Sequence, residues 1–556
     1  MNYKILYENK KEDLLTRLFK VRKIDDNIDS FLHPKFADYR GDPFLLNDMD
    51  KAVKRILEAI KKKEKIMVFG DYDVDGITSS YVLYKFFTKF LDYKNVSIQY
   101  PDRVKEGYGL KKNHIDEIKA KGVDLIITVD NGIASLQEAI YAKEIGIDLI
   151  ITDHHQDLDS VPEAVAVVNP QISPNYKFKG LAGVGVAFKL VCALLTKSKF
   201  DQKKKNQIFN YFLPVVAIGT VADVAPLLDE NRVMVKRGLE LMNSRSEHIP
   251  RSLKGFLEFL NLKENIESYH IGFVIGPRIN AGGRISSPYD SLYSLLYSGE
   301  KQVKYLQNLE EINTARRKIQ ETMFKKAENQ IDFEKKILIC FDEEFHEGIV
   351  GIVSGKLTEK YNKPSMIMKI DKEKNLAVAS LRGPDYFDVI EMIKSAGDIL
   401  ERFGGHRGAG GLSVRLNNLD KLIKKFEKYC EIKITEENIV KSLSIDTKIY
   451  HDEWDNEILS KISKLAPFGE GNEEPVFLIE GIVINKVEKV GTNGKSHLKI
   501  HGKIGEKKLT SLFWGKGEMA EKMILNPDDL NEISIIGKVK KDNFNGGYFV
   551  DCISFE

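Results

Sequence analysis

Between residues 65 and 170 the chain alternates short apolar runs with amphipathic segments, and this rhythm limits the fold more than any other feature. The runs are 66–69, 96–100, 125–129, 149–152 and 164–168. Several are almost continuously hydrophobic and β-branched, the composition of parallel strands covered on both faces. Segments such as 134–145 carry the apolar spacing and Glu/Lys content of amphipathic helices. The alternation predicts a doubly wound α/β domain.

Acidic residues follow these runs. Asp71 closes the first, Asp102-Arg103 the second, Asp130 the third and Asp153-His154-His155 the fourth. In open parallel sheets, sites form at the carboxyl ends of strands, so one sheet edge gathers these groups. Converging aspartates repel one another unless a cation neutralises them. Carboxylates with imidazoles suit Mn²⁺ or Mg²⁺ better than a soft metal, with Zn²⁺ and Fe²⁺ still open. There are enough donors for two ions, which can activate water and stabilise the leaving oxygen of a phosphoester. The segment 70–76 (Gly-Asp-Tyr-Asp-Val-Asp-Gly) also mimics the start of a calcium-binding EF-hand loop. That loop needs a Glu at its twelfth position, where this chain has Val82, and a preceding helix, where it has a strand.

A chain of 556 residues exceeds one hydrophobic core and divides into roughly three or four domains. Residues 302–330, rich in Lys, Glu, Gln, Leu and Ala without Gly or Pro, predict a long linking helix. A second, smaller α/β unit follows, from about 336 to 430. Beyond 442, short alternating runs with Gly-Asn turns predict a small β-barrel. The resulting division is an N-terminal segment 1–45, a first domain 46–300, the helix 301–330, a second domain 331–435 and a barrel 440–556.

The four cysteines (Cys192, Cys340, Cys430, Cys552) are widely spaced, which argues against a zinc site and a disulfide framework. No apolar run approaches a membrane span, and the lysine-rich start lacks a signal-like segment, so the expected location is the cytoplasm. The net charge of +2 names no partner by itself. Lysines at 486, 489, 495, 499, 503, 507 and 508, facing only Glu488 and Glu506, give the barrel a basic surface. With Phe513, Trp514 and Tyr548 it has the makings of a single-strand-binding OB-fold, although such rings also fill small barrel cores. The stretch 491–496 is not a phosphate-binding P-loop: position 489 is lysine and a strand-like run follows.

Asp153-His154-His155 is the triplet of the DHH phosphoesterase superfamily, and the surrounding motifs resemble that family in order. They are 68–76, Tyr100-Pro101-Asp102-Arg103, 128–132 and Gly219-Thr220-Val221-Ala222-Asp223. Residues 276–284 (Gly-Pro-Arg-Ile-Asn-Ala-Gly-Gly-Arg) and the glycine-rich 404–411 resemble its RecJ branch, single-stranded-DNA-specific 5′→3′ exonucleases. The resemblance covers about residues 45–556. It implies a DHH catalytic domain, a DHHA1-like substrate-binding domain and an OB-like domain, acting on single-stranded DNA in repair and recombination and releasing mononucleotides.

The resemblance also implies roles. Asp71, Asp73, Asp75, Asp130, His154 and Asp223 match metal positions, with Asp130 as the bridge between two ions. His155 lies beside the scissile phosphate, and Asp153 either ligates or orients an imidazole from outside the ligand set, the second role being preferred. Arg103, Arg278, Asn280, Ser380, Arg382, Gly405, His406 and Gly410 match substrate-contacting positions. Single-stranded DNA is the implied partner, joined by a single-strand-binding protein and a RecQ-like helicase, with the chain a monomer. The alternatives are a phosphodiesterase for short RNA or cyclic dinucleotides, and a catalytically silent DNA-binding scaffold. The presence of every expected aspartate and histidine speaks against the scaffold.

Overall fold

The computed structural model describes residues 2–24, 28–34, 41–103, 106–156, 160–263, 265–491, 496–525, 532–542 and 546–555. Two compact units emerge: Arg40–Ala225 with Asp229–Lys441, and Met1–Tyr39 with Pro226–Leu228 and Ser442–Glu556. The chain opens in the second of these with strand β1 (Asn2–Ile5) and helix α1 (Leu14–Val21).

The larger unit then begins with α2 (Met49–Lys62), β2 (Ile66–Gly70), α3 (Val74–Lys85) and β3 (Val96–Gln99). It continues through α4 (Lys112–Ala120), β4 (Leu125–Val129), α5 (Leu136–Glu144), β5 (Asp148–Thr152) and β6 (Ala166–Val168). The strands form one five-stranded sheet in the order β3-β2-β4-β5-β6, parallel at every pairing. β2 and β4 are buried along their whole length, as their unbroken apolar sequence requires.

Register decides what the sheet presents. Gly70 pairs with Val129 and Val129 with Thr152, so Asp71, Asp130 and Asp153 lie in a row at the carboxyl ends. Chain order reverses between β2 and β4, the place where open α/β sheets open a crevice. Two long helices, α6 (Gly183–Thr196) and α7 (Gln202–Ala222), pack on α3 and bring Asp223 to the same edge.

After α8 (Gly276–Ile285), the linking helix α9 runs from Glu300 to Gln330, within two residues of the expected start and at the expected end. The second α/β part contains β7 (Leu338–Asp342), α10 (Glu347–Tyr361), β8 (Ser365–Asp371), β9 (Leu376–Arg382), β10 (Leu400–His406), β11 (Ala409–Arg415) and α11 (Leu419–Lys433). Its sheet order is β10-β11-β9-β8-β7.

In the smaller unit β12 (Ser442–Ile445) pairs in parallel with β1, and β13 (Thr447–Lys448) leads into β14 (Phe477–Val490). β15 (His497–Ile504), β16 (Lys507–Phe513), β17 (Glu532–Lys541) and β18 (Tyr548–Phe555) complete an OB-type sheet. β14 is one long strand whose register against β17 slips between Ile479 and Ile482, beside Gly481 at φ 73°. The OB domain expected is present, but its sheet is not closed as a barrel: the β16–β18 seam spans only two residue pairs. Leu14, Leu18 and Phe19 of α1 enter its core beside Trp454, Phe477 and Ile500. Phe513 also belongs to that core, whereas Trp514 is 57% exposed. Lys486 pairs with Glu488 and Lys489 with Glu521, which offsets part of the basic face. Residues 492–495, including Lys495, lie outside the described residues. Among the described residues no helix is long and apolar enough to cross a membrane.

Candidate metal centre

The loop after β2 turns directly into α3, with Asp73 capping the helix by accepting the Gly76 N–H at 3.0 Å. Asp75 lies inside the first turn and points to another helix: its two carboxylate oxygens accept the N–H groups of Gly183 and Val184 at 2.6 and 2.8 Å. The start of α6 thus faces an anion, which its dipole favours. Asp130 leaves β4 with φ +60°, a conformation tolerated by aspartate more readily than by most residues. Val224, the residue after Asp223, sits at φ +58°. For a β-branched side chain this is strain of the kind found at functional sites.

Three donor groups result, one of them Asp130, Asp153, His154 and His155. Asp71, Asp73 and Asp130 converge on one point, and Asp75, His154 and Asp223 on another. His154 Nε2 lies 3.1 Å from Asp130 Oδ1, and 3.8 Å from both Asp75 and Asp223, which ties the sets together. Asp71 Oδ1, Asp130 Oδ1 and His154 Nε2 are buried without any hydrogen-bond partner. Burial followed by the neighbouring aspartates drives Asp71, Asp130 and Asp223 well above the carboxylate range, and Asp75 up to about 7. Burial lowers His154 to about 4, keeping its imidazole neutral as a metal ligand must be. Orphaned oxygens, mutual repulsion and an unprotonated imidazole fit hard divalent cations.

Asp153 behaves differently from the other carboxylates. Fully buried, it accepts the N–H groups of Ile133, His154 and His155, together with His155 Nδ1 at 2.7 Å. These bonds outweigh its burial and hold its pKa below the usual value. The same contact raises His155 to about 9 against the opposing effect of burial. Tyr108, which no motif singles out, donates to the Asp130 carbonyl at 3.0 Å and packs edge-on against His155.

The expected substrate residues divide. Arg103 lies over the Tyr72 ring at 4.9 Å. Arg382 donates to Ser380 Oγ at 3.1 Å, and its pKa is lowered by burial and by Arg103. Gly405 and Gly410 face each other across the β10–β11 hairpin, and Gly410 and Ala409 pair with Leu381 and Arg382 of β9. Gly405 has φ +146°, and a Cβ there would meet the Ala409 carbonyl at 2.4 Å. His406 is close enough to feel the charges of Arg382 and His155. Asn280 Oδ1 accepts the Val74 N–H, steadying the turn between Asp73 and Asp75. Arg278 instead bonds Glu310 at 2.5 Å and the Val274 carbonyl. A cavity of about 140 Å³ is lined by Asn280, Arg284 and Arg316, with Ala222, Gly272 and Gly276. Sequence reasoning passed over both of these arginines. Arg284 ends the quoted glycine-rich motif, while Arg316 on the linking helix carries no motif signal. Burial, followed by Arg103, disfavours the charge of Arg284, against a smaller opposing effect of Asp73.

A parallel sheet carrying an Asp-His-His triplet at its edge, followed by a glycine-rich α/β part, defines the DHH class. Residues 65–220 match the N-terminal domain of the DHH family, residues 334–432 the DHHA1 domain, and residues 445–553 the RecJ OB domain. The chain belongs to the RecJ family. It is 34% identical over 526 residues to the single-stranded-DNA-specific exonuclease RecJ of Bacillus subtilis, covering 93% of this chain. The chain spans 64% of that relative's length. With the Haemophilus influenzae enzyme of the same description it shares 31% identity, over 88% of this chain and 86% of the relative. The crystal structure of Thermus thermophilus RecJ with Mn²⁺ superposes with a TM-score of 0.79 at 26% identity, covering 97% of this chain and 75% of that one.

Proposed function

We propose that the chain is a two-metal exonuclease that hydrolyses single-stranded DNA from its 5′ end, releasing mononucleotides in DNA repair and recombination. The observation that carries this reading is the pair of donor sets joined through Asp130, at the strand ends of a chain similar throughout to RecJ enzymes. Asp71, Asp73 and Asp130 would hold one Mn²⁺ or Mg²⁺ ion, and Asp75, Asp130, His154 and Asp223 the other. Bound cations of this kind lower the pKa of water and offset charge on a leaving oxygen.

The protein's own groups account for the rest. His155, protonated at neutral pH, donates from its free ring nitrogen to a non-bridging phosphate oxygen as the bond to the 3′-oxygen breaks. Asp153 fixes the ring orientation and its charge. Arg103, Ser380 and Arg382 hold phosphate near the 5′ end, and the open hairpin backbone at Gly405, His406 and Gly410 lets the strand approach closely. Arg278, engaged by Glu310, reaches a phosphate only by exchanging partners. The OB-type unit adds single-strand affinity. These contacts address phosphates and sugars, so base sequence is not read. A cytoplasmic monomer working with a single-strand-binding protein and a RecQ-like helicase completes the reading.

The test is digestion of end-labelled oligonucleotides with Mn²⁺ or Mg²⁺. Mononucleotide release from the 5′ end of single strands is expected, with blunt duplex resistant and Asp130→Asn inactive. Release from the 3′ end only, or equal cleavage of duplex, overturns the polarity or the specificity. Turnover confined to dinucleotides would return the chain to the short-RNA and cyclic-dinucleotide class.

A further inference from the structure

The segment preceding α8 carries two large rings that its core does not use. Ile271, Ile275 and Ile279 are buried on one face of the helical run 268–285, while Tyr269 and Phe273 stand outside that stripe, 60% and 70% exposed. Their rings are stacked on each other, with centroids 4.9 Å apart and planes 27° from parallel. Two adjacent bare aromatics cost hydration free energy that burial would recover, so a surface of this kind marks a contact.

Its surroundings indicate what covers it. Gly272, between the two rings in sequence, and Gly276 line the arginine cavity with Arg284 and Arg316, and a Cβ added at Gly272 would meet open space. Ala222, next to Asp223, lies on the same wall, and so does Asn280, which holds the Asp73–Asp75 turn. The aromatic pair therefore flanks, through Gly272, an arginine-lined cavity whose wall holds Ala222 and Asn280, neighbours of the metal-site residues. An occupant must offer anions to the arginines and a flat apolar face to the rings. A nucleic-acid strand does both, with phosphates and bases in alternation.

We propose that Tyr269 and Phe273 form a platform on which one base of the bound single strand stacks while neighbouring phosphates occupy the arginine-lined cavity. This rests on the nuclease reading and adds a base contact to its phosphate contacts. Because every base has a π-face, the platform grips the strand without selecting sequence.

The test is binding of fluorescent oligo-dT to the full chain with divalent ions chelated. An abasic nucleotide is stepped along the strand. At one position the abasic site is expected to weaken wild-type binding about 10-fold. The Tyr269→Ala/Phe273→Ala double variant is expected to lose about the same factor with intact DNA and to ignore the abasic site there. Phe273→Leu, apolar but not flat, should behave as the alanine change, and Tyr269→Phe should bind like wild type. Unchanged thermal melting of the double variant confirms its fold. A double variant with wild-type affinity and the wild-type abasic profile overturns the platform and assigns the rings to a protein contact, leaving the nuclease intact. A wild-type chain that neither binds nor, with Mn²⁺, cleaves the strand overturns both readings.

Discussion

At the residue scale, neighbouring groups of the same type acquire opposite character. Asp130 and Asp153 are both buried at adjacent strand ends, yet one is pushed up in pKa and the other held down. The difference is donors: Asp153 has four hydrogen-bond donors, while Asp130 Oδ1 has none. Likewise His154 is lowered to about 4 and His155 raised to about 9. In the metal-free protein, NMR titration should find His155 protonated through neutral pH. The sign follows: a raised histidine pKa stabilises the fold fully below the unfolded value near 6.5, and that stability is lost as pH rises through 9. Burial lowers His155 and Asp153 opposes it most strongly, so Asp153→Asn should shift the His155 titration downward, with only Asp223 and Asp71 left to oppose burial. Activity should fall by the roughly 10–100-fold typical of losing such a supporting partner. A His155 titration unmoved by Asp153→Asn would refute the pairing. The triplet was visible in the sequence, but three consecutive letters carry no record of which backbone amides surround each side chain.

At the element scale, the parallel sheet was legible because its strands are unbroken apolar runs, and so was the row of acids, because each follows a run. The linking helix was legible from composition alone. What sequence could not supply was the partner of each side chain across long intervals. Asp75 and the start of α6 are 108 positions apart. Arg278 and Arg284 are six positions apart on α8, about 120° around a helix, so they cannot share a face. Only the packing of α9, which brings Glu310 and Arg316, decides which arginine looks into the cavity. The fit between α6 and β4 is equally hidden: a Cβ on Gly183 would lie 2.6 Å from Asp130 Cβ and 2.7 Å from its Oδ1. Gly183→Ala must therefore displace Asp130 or the helix. The expected cost is about 1–3 kcal/mol in urea unfolding, the range for overpacking, with Mn²⁺ affinity lowered in calorimetry. Full retention of Mn²⁺ affinity would mean that the helix end does not set the Asp130 position.

At the scale of the whole molecule, the chain's two ends share one folding unit, which no local pattern in the sequence announces. β1 pairs with β12, and Arg17 of α1 is wholly buried, bonding Thr447 Oγ1, the Lys448 carbonyl and Glu453 at 2.6 Å. Arg17→Ala removes the cation and leaves Glu453 with the Tyr450 N–H, so the smaller unit should lose about 3–5 kcal/mol, as when one partner of a buried ion pair is removed. Thermal unfolding followed by hydrogen exchange should show the loss in residues 442–555, with the larger unit keeping its response to metal. That response has a predictable dependence on pH. In the metal-free protein Asp71, Asp75, Asp130 and Asp223 retain protons that the unfolded chain has lost, so their ionisation removes stability as pH rises from about 4, Asp75 being reached at about 7 and the other three raised well above the usual range. His154 works the other way between about 4 and the unfolded value near 6.5, but it is one group against four. Metal binding requires the carboxylates ionised, so it releases protons and tightens with pH. Free Mn²⁺ at 100 times its Kd adds about 2.7 kcal/mol, and the gain in melting temperature over the chelated protein should widen from pH 6 to pH 8. Asp130→Asn should narrow that gain at every pH while raising the melting point of the chelated protein, because it removes a buried carboxyl whose ionisation the fold disfavours. A gain that stays constant across this range would mean that the raised carboxyls are not the metal's ligands.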